Sequence, residues 1–236
     1  MITVLDLSFV VSNRATPKVL FDGVTAHFGP FERVGIFAAP GSGKTVLARL
    51  LCGMMPPDKG HVIHTGKVSR PLGYSRSLHP ELTVRQNISI ICRATGEDTD
   101  ETILLCATLG QLEHLLHQPF KALTSKDKRA LAFCISLAGH NDVYIADDAL
   151  AFGEGAQKDA AAAILEKRLE AAGLIFLSHN ASHLKKACDR YLVLRECRLE
   201  DCFDLEDAAA DLGGVHDREF RRRSSLDGVM VKRSVI

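Results

Sequence analysis

The stretch AAPGSGKT at residues 38–45 constrains the fold of this chain more than any other part of the sequence. It follows ERVGIFA, whose apolar part is typical of a strand buried on both faces, and it precedes TVLARLLCGMM, whose Leu and Val residues recur at helical spacing. A strand, a Gly-rich loop and a helix in this order are the context that a phosphate-binding loop requires. Because Gly41 and Gly43 have no Cβ, successive backbone N–H groups can face one anion, and the helix adds its positive N-terminal end.

The side chains of this loop complete the prediction of a nucleoside triphosphate site. Lys44 is expected to reach the β- and γ-phosphates, and Thr45 is expected to offer its hydroxyl to Mg²⁺. The full pattern begins with Gly, where this chain has Ala38. The alternative, a Gly-rich turn with an incidental lysine, is disfavoured by the order of strand, loop and helix. The residues predicted to bind the nucleotide are Ala38, Pro40, Gly41, Ser42, Gly43, Lys44 and Thr45.

A second apolar run, VYIADD, ends in two carboxylates. A buried strand that delivers an acid at its C-terminal edge supplies what a phosphate loop needs for its metal. Asp147 is predicted to bind Mg²⁺ directly or through water, and Asp148 is predicted to stand next to the attacking water. Such strand ends are common taken alone, and the α/β layout around this one strengthens the prediction. A further strand, LIFLSHN, ends in His179, which we expect on the ligand-binding rim of an open α/β sheet.

The order of the predicted elements favours an α/β fold in a single domain. Short β-type runs fill residues 2–37, and HVIHTGKV reads as one more strand. A loop follows, and TVRQNISIICRATG and DETILLCATLGQLEHLLHQ are predicted to be helical. Strands and helices then alternate again, which predicts a mostly parallel sheet with helices on both faces and a helical insert in its middle. The predicted boundaries are 1–68 and 128–212 for the α/β core, 69–127 for the helical subdomain and 213–236 for a basic, flexible tail.

Composition excludes several classes of protein. The 236 residues are 46% apolar and 25% charged, as in an ordinary soluble globular protein. Lys plus Arg and Asp plus Glu both number 29, so nothing points to nucleic acid as a partner. Seven Cys are scattered without a CxxC pair, which suits a reducing compartment. No apolar run approaches the roughly 18 residues of a membrane span, and the first residues lack the layout of a signal peptide, so we expect a cytosolic location.

The order of phosphate loop, acidic strand and strand-end histidine, with a helical insert before the acid, resembles the nucleotide-binding subunit of ABC transporters. The resemblance spans about residues 2–212 and is closest to the ATP-binding subunits of capsular polysaccharide exporters. The segment KRALAFCISLAGHNDVYIADDALAFGE resembles the signature helix and acidic strand of that family. The segment FLSHNASHLKKACDRYLVL resembles its switch-histidine segment, and SRPLGYSRSLHPELTVRQNISIICRATG resembles its glutamine-free segment. The resemblance implies an ABC ATPase core of the P-loop class with an antiparallel β part near the N-terminus.

The resemblance also implies the roles of individual residues. Two such subunits sandwich ATP and Mg²⁺, and each supplies a signature serine, here Ser125, to the γ-phosphate held by the other. The catalytic acid and the switch histidine correspond to Asp148 and His179. The aromatic residue that stacks on adenine falls near Val11, and Phe9 is the closest candidate. The implied partners are a membrane-spanning permease, docked through residues 69–115, and a second copy or a second ATPase subunit. Such a subunit is peripheral on the cytoplasmic face of the inner membrane and drives polysaccharide export.

Several positions depart from the family pattern, and they concentrate in the chemistry. The usual catalytic glutamate is Asp148, one methylene shorter, and a displacement of about 1 Å can lower a rate on the order of 10²-fold. Lys126 occupies a glycine position of the signature, and the metal-sensing glutamine is missing, with Ser75 to Ser77 in its region and Gln86 too far along.

Two hypotheses stay open: a working transport ATPase, and a regulatory or structural nucleotide-binding subunit that hardly turns over. A small-molecule kinase on the same loop is disfavoured, because nothing in the insert resembles an acceptor-binding lid.

Overall fold

The computed structural model describes residues 1–12 and 17–209 of the chain. Its strands are β1 (Ile2–Ser12), β2 (Pro17–Phe28), β3 (Arg33–Ala38), β4 (Lys59–His64), β5 (Val68–Pro71), β6 (Val143–Asp147), β7 (Gly173–Ser178), β8 (Arg190–Arg195) and β9 (Arg198–Asp201). Its helices are α1 (Lys44–Leu51), α2 (Val84–Thr95), α3 (Thr99–Thr108), α4 (Ser125–Ala138), α5 (Ala156–Leu169) and α6 (Ala181–Ala187), with 3-10 turns at Glu113–Leu115 and Phe120–Ala122. The insert before α4 is therefore mainly helical.

The strands form two sheets. The six-stranded sheet has the order β5-β6-β7-β3-β8-β9, and every neighbouring pair in it is parallel except β8 and β9. The three-stranded sheet has the order β2-β1-β4 and is antiparallel. This arrangement confirms the predicted α/β fold with a mostly parallel sheet and an antiparallel N-terminal part.

Two apolar cores lie on opposite faces of the six-stranded sheet. Successive residues of a strand point to opposite faces, so Tyr144 and Phe176 pack in one core and their neighbours Ile145 and Ile175 pack in the other. The first core is shared with the helical insert, α4 and α5, and the second with α1 and the three-stranded sheet. Burial on both faces explains why the parallel strands read as continuous apolar runs.

The run HVIHTGKV, predicted as one strand, forms parts of two strands that belong to different sheets. β4 ends at His64 in the three-stranded sheet, and β5 begins at Val68 at the edge of the six-stranded sheet. Gly66 between them has a φ of +119°, and a Cβ there would lie 2.5 Å from a carboxylate oxygen of Asp142. The backbone N–H of Lys67 donates to the same oxygen at 2.7 Å. This turn redirects the chain, and the alternation of apolar residues does not reveal it.

Two helices are shorter than their apolar patterns indicate. Helix α1 ends at Leu51, before the apolar residues GMM that we expected it to include. Helix α3 ends at Thr108, and Gln111, with a φ of +56°, turns the chain into a single 3-10 turn instead of the continuous helix expected over DETILLCATLGQLEHLLHQ.

The buried side chain of Asn87 holds the loop that leads into α2. Its amide donates to the carbonyls of His79, Leu82 and Thr83 at 3.1–3.2 Å, and its carbonyl accepts from the N–H of His79 at 2.7 Å. The neighbouring Gln86 is part of a reciprocal cap, in which Thr83 Oγ1 accepts from the N–H of Gln86 and the side chain of Gln86 accepts from the N–H of Thr83. Both side chains are therefore committed to local structure.

Within residues 1–12 and 17–209, no helix combines the length and apolarity needed to cross a membrane. The predicted basic tail, 213–236, lies outside the described residues. The boundaries of the helical subdomain stay a prediction.

We expect Asn87→Ala to lower the free energy of unfolding by about 2–4 kcal/mol, because one buried amide forms hydrogen bonds with four backbone groups at once. Asn141→Ala is the control, since its side chain contacts fewer backbone groups: it donates to the Gly139 carbonyl at 3.1 Å and hydrogen-bonds the Tyr144 hydroxyl. Its expected cost is about 1 kcal/mol or less. Urea unfolding at neutral pH measures both, and equal losses would contradict the structural role of Asn87.

Candidate nucleotide site

The loop between β3 and α1 has the geometry of an anion cradle. Gly41 and Gly43 have φ values of +77° and +104°, and Gly43 is the N-cap of α1 without a side-chain cap. The first N–H groups of α1 are therefore not capped by a side chain, and the helix presents its positive end there. The buried hydroxyl of Ser42 also has no hydrogen-bond partner in the described part of the chain. A phosphate bound on this loop would satisfy both features.

A cavity of about 750 Å³ opens at this loop. The loop forms one side of it, and Val11, Lys18 and Leu20 from β1 and β2 contribute another wall. The packing between the two parts is close, because a Cβ on Gly43 would lie 3.2 Å from the ring of Phe21. The cavity therefore lies between the two sheets, and its size is that of an ordinary ligand pocket.

The topology of the six-stranded sheet brings Asp148 to this cavity and His179 next to Asp148. Strands β6, β7 and β3 are parallel neighbours, so their C-terminal ends lie at one edge of the sheet. Asp147 pairs with Leu177, and Ser178 pairs with Phe37, so the three strands end almost level. Whatever follows each strand, including the phosphate loop, emerges at the same place.

Lys44, Asp148 and His179 form a chain of polar contacts. Lys44 Nζ lies 3.2 Å from Asp148 Oδ2, and His179 Nδ1 lies 3.2 Å from Asp148 Oδ1. The Lys44 side chain is only 10% exposed, so its charge needs a counter-charge. Burial by itself would raise the pKa of Asp148, but the Lys44 ammonium and the hydrogen bond with His179 outweigh burial and lower that pKa. Asp148 is therefore a carboxylate at neutral pH.

Thr45 and Asp147 form the second pair of the site. Thr45 Oγ1 donates to Asp147 Oδ2 at 2.5 Å, whereas the other carboxylate oxygen, Oδ1, is buried without a partner in the described residues. Burial is the main cause that raises the pKa of Asp147, the nearby Asp148 carboxylate raises it further, and Thr45 and Lys44 oppose both. A divalent cation would supply the missing partner, and hydroxyl and carboxylate oxygens are ligands that Mg²⁺ prefers. The two residues therefore fit a Mg²⁺ site.

The structure does not bring every predicted residue to the cavity. Phe9 pairs with Phe21 and packs against the second core, and Val11 lines the cavity instead. The register between β1 and β2 shifts on both sides of Phe9, which breaks the simple alternation on which its predicted position depended. Lys18, which faces Val11 across the two strands, was not identified from the sequence. Only long-range pairing of β1 with β2 could have revealed it.

The signature segment lies at a different cavity of about 490 Å³. Thr124 is the N-cap of α4, and its hydroxyl donates to the Asp127 carboxylate at 2.6 Å. Ser125 follows as an exposed residue, and Lys126 lines the second cavity. The lining also includes Arg129, Lys158, Glu154 and Asp147. Within one copy, Ser125 and Lys126 are therefore not part of the cavity at Lys44.

The region where the metal-sensing glutamine is missing is occupied by other contacts. Ser77 Oγ accepts from Arg70 Nη1 at 2.9 Å, and the Arg49 guanidinium lies 5.9 Å from the ring centre of Tyr74. Because Gln86 is committed to the cap of α2, the described residues offer no glutamine for that role from this helix.

A phosphate loop after β3, a parallel strand of the same sheet that ends in an acid, and a helical insert together define a nucleotide-binding protein of the phosphate-loop class. Residues 21–151, more than half of the chain, match the ABC transporter family. The chain belongs to the ABC transporter family, and the resemblance drawn from its sequence is confirmed. Membership also confirms the predicted ATP-binding ATPase class.

Individual relatives show how far the similarity extends. The capsule polysaccharide export ATP-binding protein CtrD of Neisseria meningitidis serogroup B is 32% identical over 208 residues, which cover 88% of this chain and 96% of CtrD. The polysialic acid transport ATP-binding protein KpsT of Escherichia coli is 28% identical and is matched over 75% of this chain and 82% of KpsT. A dimeric post-hydrolysis structure of the ATP-binding cassette MJ0796, bound to ADP and Pi, has a TM-score of 0.69 at 16% identity, covering 85% of this chain and 97% of that one. At that identity the structural similarity shows the fold alone.

We expect Asp148→Asn to lower the free energy of unfolding at pH 7 by about 1 kcal/mol or less, because the carboxylate is 44% exposed and water screens its pair with Lys44. The folded-state pKa of Asp148 lies below its unfolded value, near 3.9. The stabilisation is therefore present above about pH 4 and is lost as the pH falls through the folded-state pKa. Urea unfolding of both proteins between pH 7 and pH 3 measures the difference, with the exposed Asp22→Asn as control. A difference that widens towards acid would contradict the ion pair.

Proposed function

We propose that this chain is the ATP-binding subunit of a transporter that exports a capsular or other cell-surface polysaccharide, and that it hydrolyses ATP to drive the export. The observation that carries the ATPase part is the polar chain Lys44–Asp148–His179 beside the pair Thr45–Asp147. The export part is supported by the similarity to CtrD, whose name states capsule polysaccharide export and which this chain matches over almost its whole length.

The geometry indicates what each side chain does when ATP is bound. The triphosphate lies on the N–H groups of the loop, and Lys44 exchanges the Asp148 carboxylate for phosphate oxygens. Asp148 keeps His179 as its partner and stays ionised, so it can accept a proton from the attacking water. Thr45 and Asp147 would hold Mg²⁺, which would supply charge neutralisation at the phosphates. His179, which follows β7, orients Asp148.

The partners follow from the same proposal. A second copy, or a second ATPase subunit, brings Ser125 and Lys126 to the nucleotide, since one copy keeps them at a separate cavity. A membrane-spanning permease binds through residues 69–115 and keeps the subunit at the cytoplasmic face of the inner membrane. The balance of acidic and basic residues supports no nucleic acid partner.

The alternative is a subunit of the same transporter that binds ATP and hardly hydrolyses it. Two observations favour it. Asp148 is one methylene shorter than a glutamate, and the exposed lysine Lys126 stands at the start of α4 where the family has glycine. In that case ATP acts as a ligand that joins two subunits, and the output is regulation or structural support.

Single-turnover hydrolysis of Mg-ATP, with protein in excess, tests the proposal, because excess protein favours the dimer. We expect phosphate release that disappears in Lys44→Ala, since the loop then loses its cation for the β- and γ-phosphates. Lys67→Ala, at an exposed lysine near the start of β5, is the control and should leave the rate unchanged. Tight binding of ATP without phosphate release would reject the motor and leave the regulatory subunit.

A double variant, Lys126→Gly with Asp148→Glu, tests whether the departures from the family pattern limit the rate. Restoring both groups is expected to accelerate single-turnover hydrolysis by about tenfold or more, because a misplaced catalytic group can lower a rate by up to about 10²-fold. ATP affinity is measured alongside, so that a change in binding is not mistaken for a change in chemistry. Unchanged hydrolysis with intact binding would show that these positions do not limit the reaction.

A further inference from the structure

Apart from Lys18, the wall that β1 and β2 contribute to the cavity is aliphatic. Val11 and Leu20 line it, Val46 of α1 adds a further aliphatic side chain to the cavity, and no aromatic residue is present among the described residues that form it. Phe9 points into the second core instead. The sequence between the two strands, NRAT at 13–16, has no aromatic residue either. A nucleobase in this cavity would therefore meet aliphatic side chains.

An aliphatic wall has predictable consequences for selectivity. Stacking on an aromatic ring contributes roughly 5- to 150-fold in affinity per base, and an aliphatic contact provides less. Adenine and guanine differ in the donors and acceptors on their edges, which only polar groups can read. An apolar pocket discriminates weakly between ligands of similar shape, whereas a site that hydrogen-bonds the distinguishing group discriminates strongly. The described polar side chains in this cavity are Lys18, Lys44, Thr45 and Asp148.

Lys18 is the polar residue of this wall, and its position directs it towards the phosphates. It faces Val11 across β1 and β2, and its Nζ lies 3.4 Å from the carbonyl oxygen of Gly41 in the phosphate loop. It makes no ion pair in the part of the chain that the structure describes. An ammonium group donates only, and an ammonium beside the phosphate loop is an obvious partner for a phosphate oxygen.

We propose that this cavity selects the triphosphate rather than the base. Lys18 is a second phosphate-binding cation, supplied to the loop from β2, and the aliphatic wall accepts adenine and guanine alike. The ligand class is therefore a purine nucleoside triphosphate, with ATP and GTP both as substrates. The inference rests on the proposed function, because it assumes that a nucleotide binds at Lys44.

Competition binding to the full chain in the presence of Mg²⁺ separates the contributions, with ATP, GTP and inorganic tripolyphosphate as probes. We expect ATP and GTP to bind within about tenfold of each other and tripolyphosphate to compete with both. Lys18→Ala is expected to weaken all three by about three- to tenfold, since one exposed charge-assisted contact is lost. Lys18→Arg should retain most of the affinity. Lys59→Ala, an exposed lysine on β4 at the opposite edge of the same sheet, is the matched control and should change none of them.

Val11→Tyr provides the opposite test. A tyrosine at this position is expected to raise the affinity of ATP and GTP by about tenfold and to leave tripolyphosphate unchanged, because only the nucleotides have a base to stack.

The outcomes distinguish this inference from the function on which it rests. If ATP shows no binding that depends on Lys44, the proposed function fails. If ATP binds through Lys44 but GTP binds more than about 100-fold more weakly, the aliphatic wall does not set selectivity and the inference is overturned. It is equally overturned if Lys18→Ala weakens one nucleotide and leaves tripolyphosphate unchanged, because Lys18 would then read the base.

Discussion

The parallel pairing of β6, β7 and β3 is the constraint on which the site depends. The three strands end within about one residue of each other, because Asp147 pairs with Leu177 and Ser178 pairs with Phe37. Residues from distant parts of the sequence therefore emerge at one edge: the phosphate loop after β3, Asp148 after β6 and His179 after β7. Lys44 is nearly buried there, and a buried ammonium without a partner would be costly, so the Asp148 carboxylate stabilises it. The fold determines where Lys44, Asp148 and His179 lie, and the charge of Lys44 determines that its partner is the Asp148 carboxylate.

The backbone at Asp148 offers a physical reason for an aspartate where the family has glutamate. Asp148 has a φ of +61°, and its N–H donates to the carbonyl of Leu177 at 2.9 Å, which ties this strained residue to the end of β7. Asp and Asn are enriched in the left-handed region, because their short side chains can bond locally. From this backbone the short carboxylate contacts both Lys44 and His179. An aspartate therefore suits the left-handed backbone conformation at this position. Its side chain is one methylene shorter than that of glutamate, so it extends less far towards a γ-phosphate.

The parts of the fold and site that depend on local sequence could be predicted, and those that depend on long-range packing could not. The phosphate loop, the acidic end of β6 and the position of His179 follow from apolar runs and what comes directly after them. The division of HVIHTGKV between two sheets depends on the turn at Gly66 and its contact with Asp142, which no local pattern reveals. The place of Phe9 depends on register shifts in β1, and the second cavity around Lys126 depends on how α4 packs.

The Thr45–Asp147 hydrogen bond joins the two cavities of the molecule. Thr45 lines the cavity at the phosphate loop, and Asp147 lines the one that holds Lys126 and Arg129. A ligand that recruits the Thr45 hydroxyl must change the hydrogen bonding of Asp147, whose other oxygen is already buried and unpaired. By linkage, whatever binds at the second cavity and prefers one arrangement of Asp147 must alter the affinity of the first to the same extent. A single short hydrogen bond between α1 and β6 therefore connects the lining of the phosphate-loop cavity with that of the cavity at Lys126.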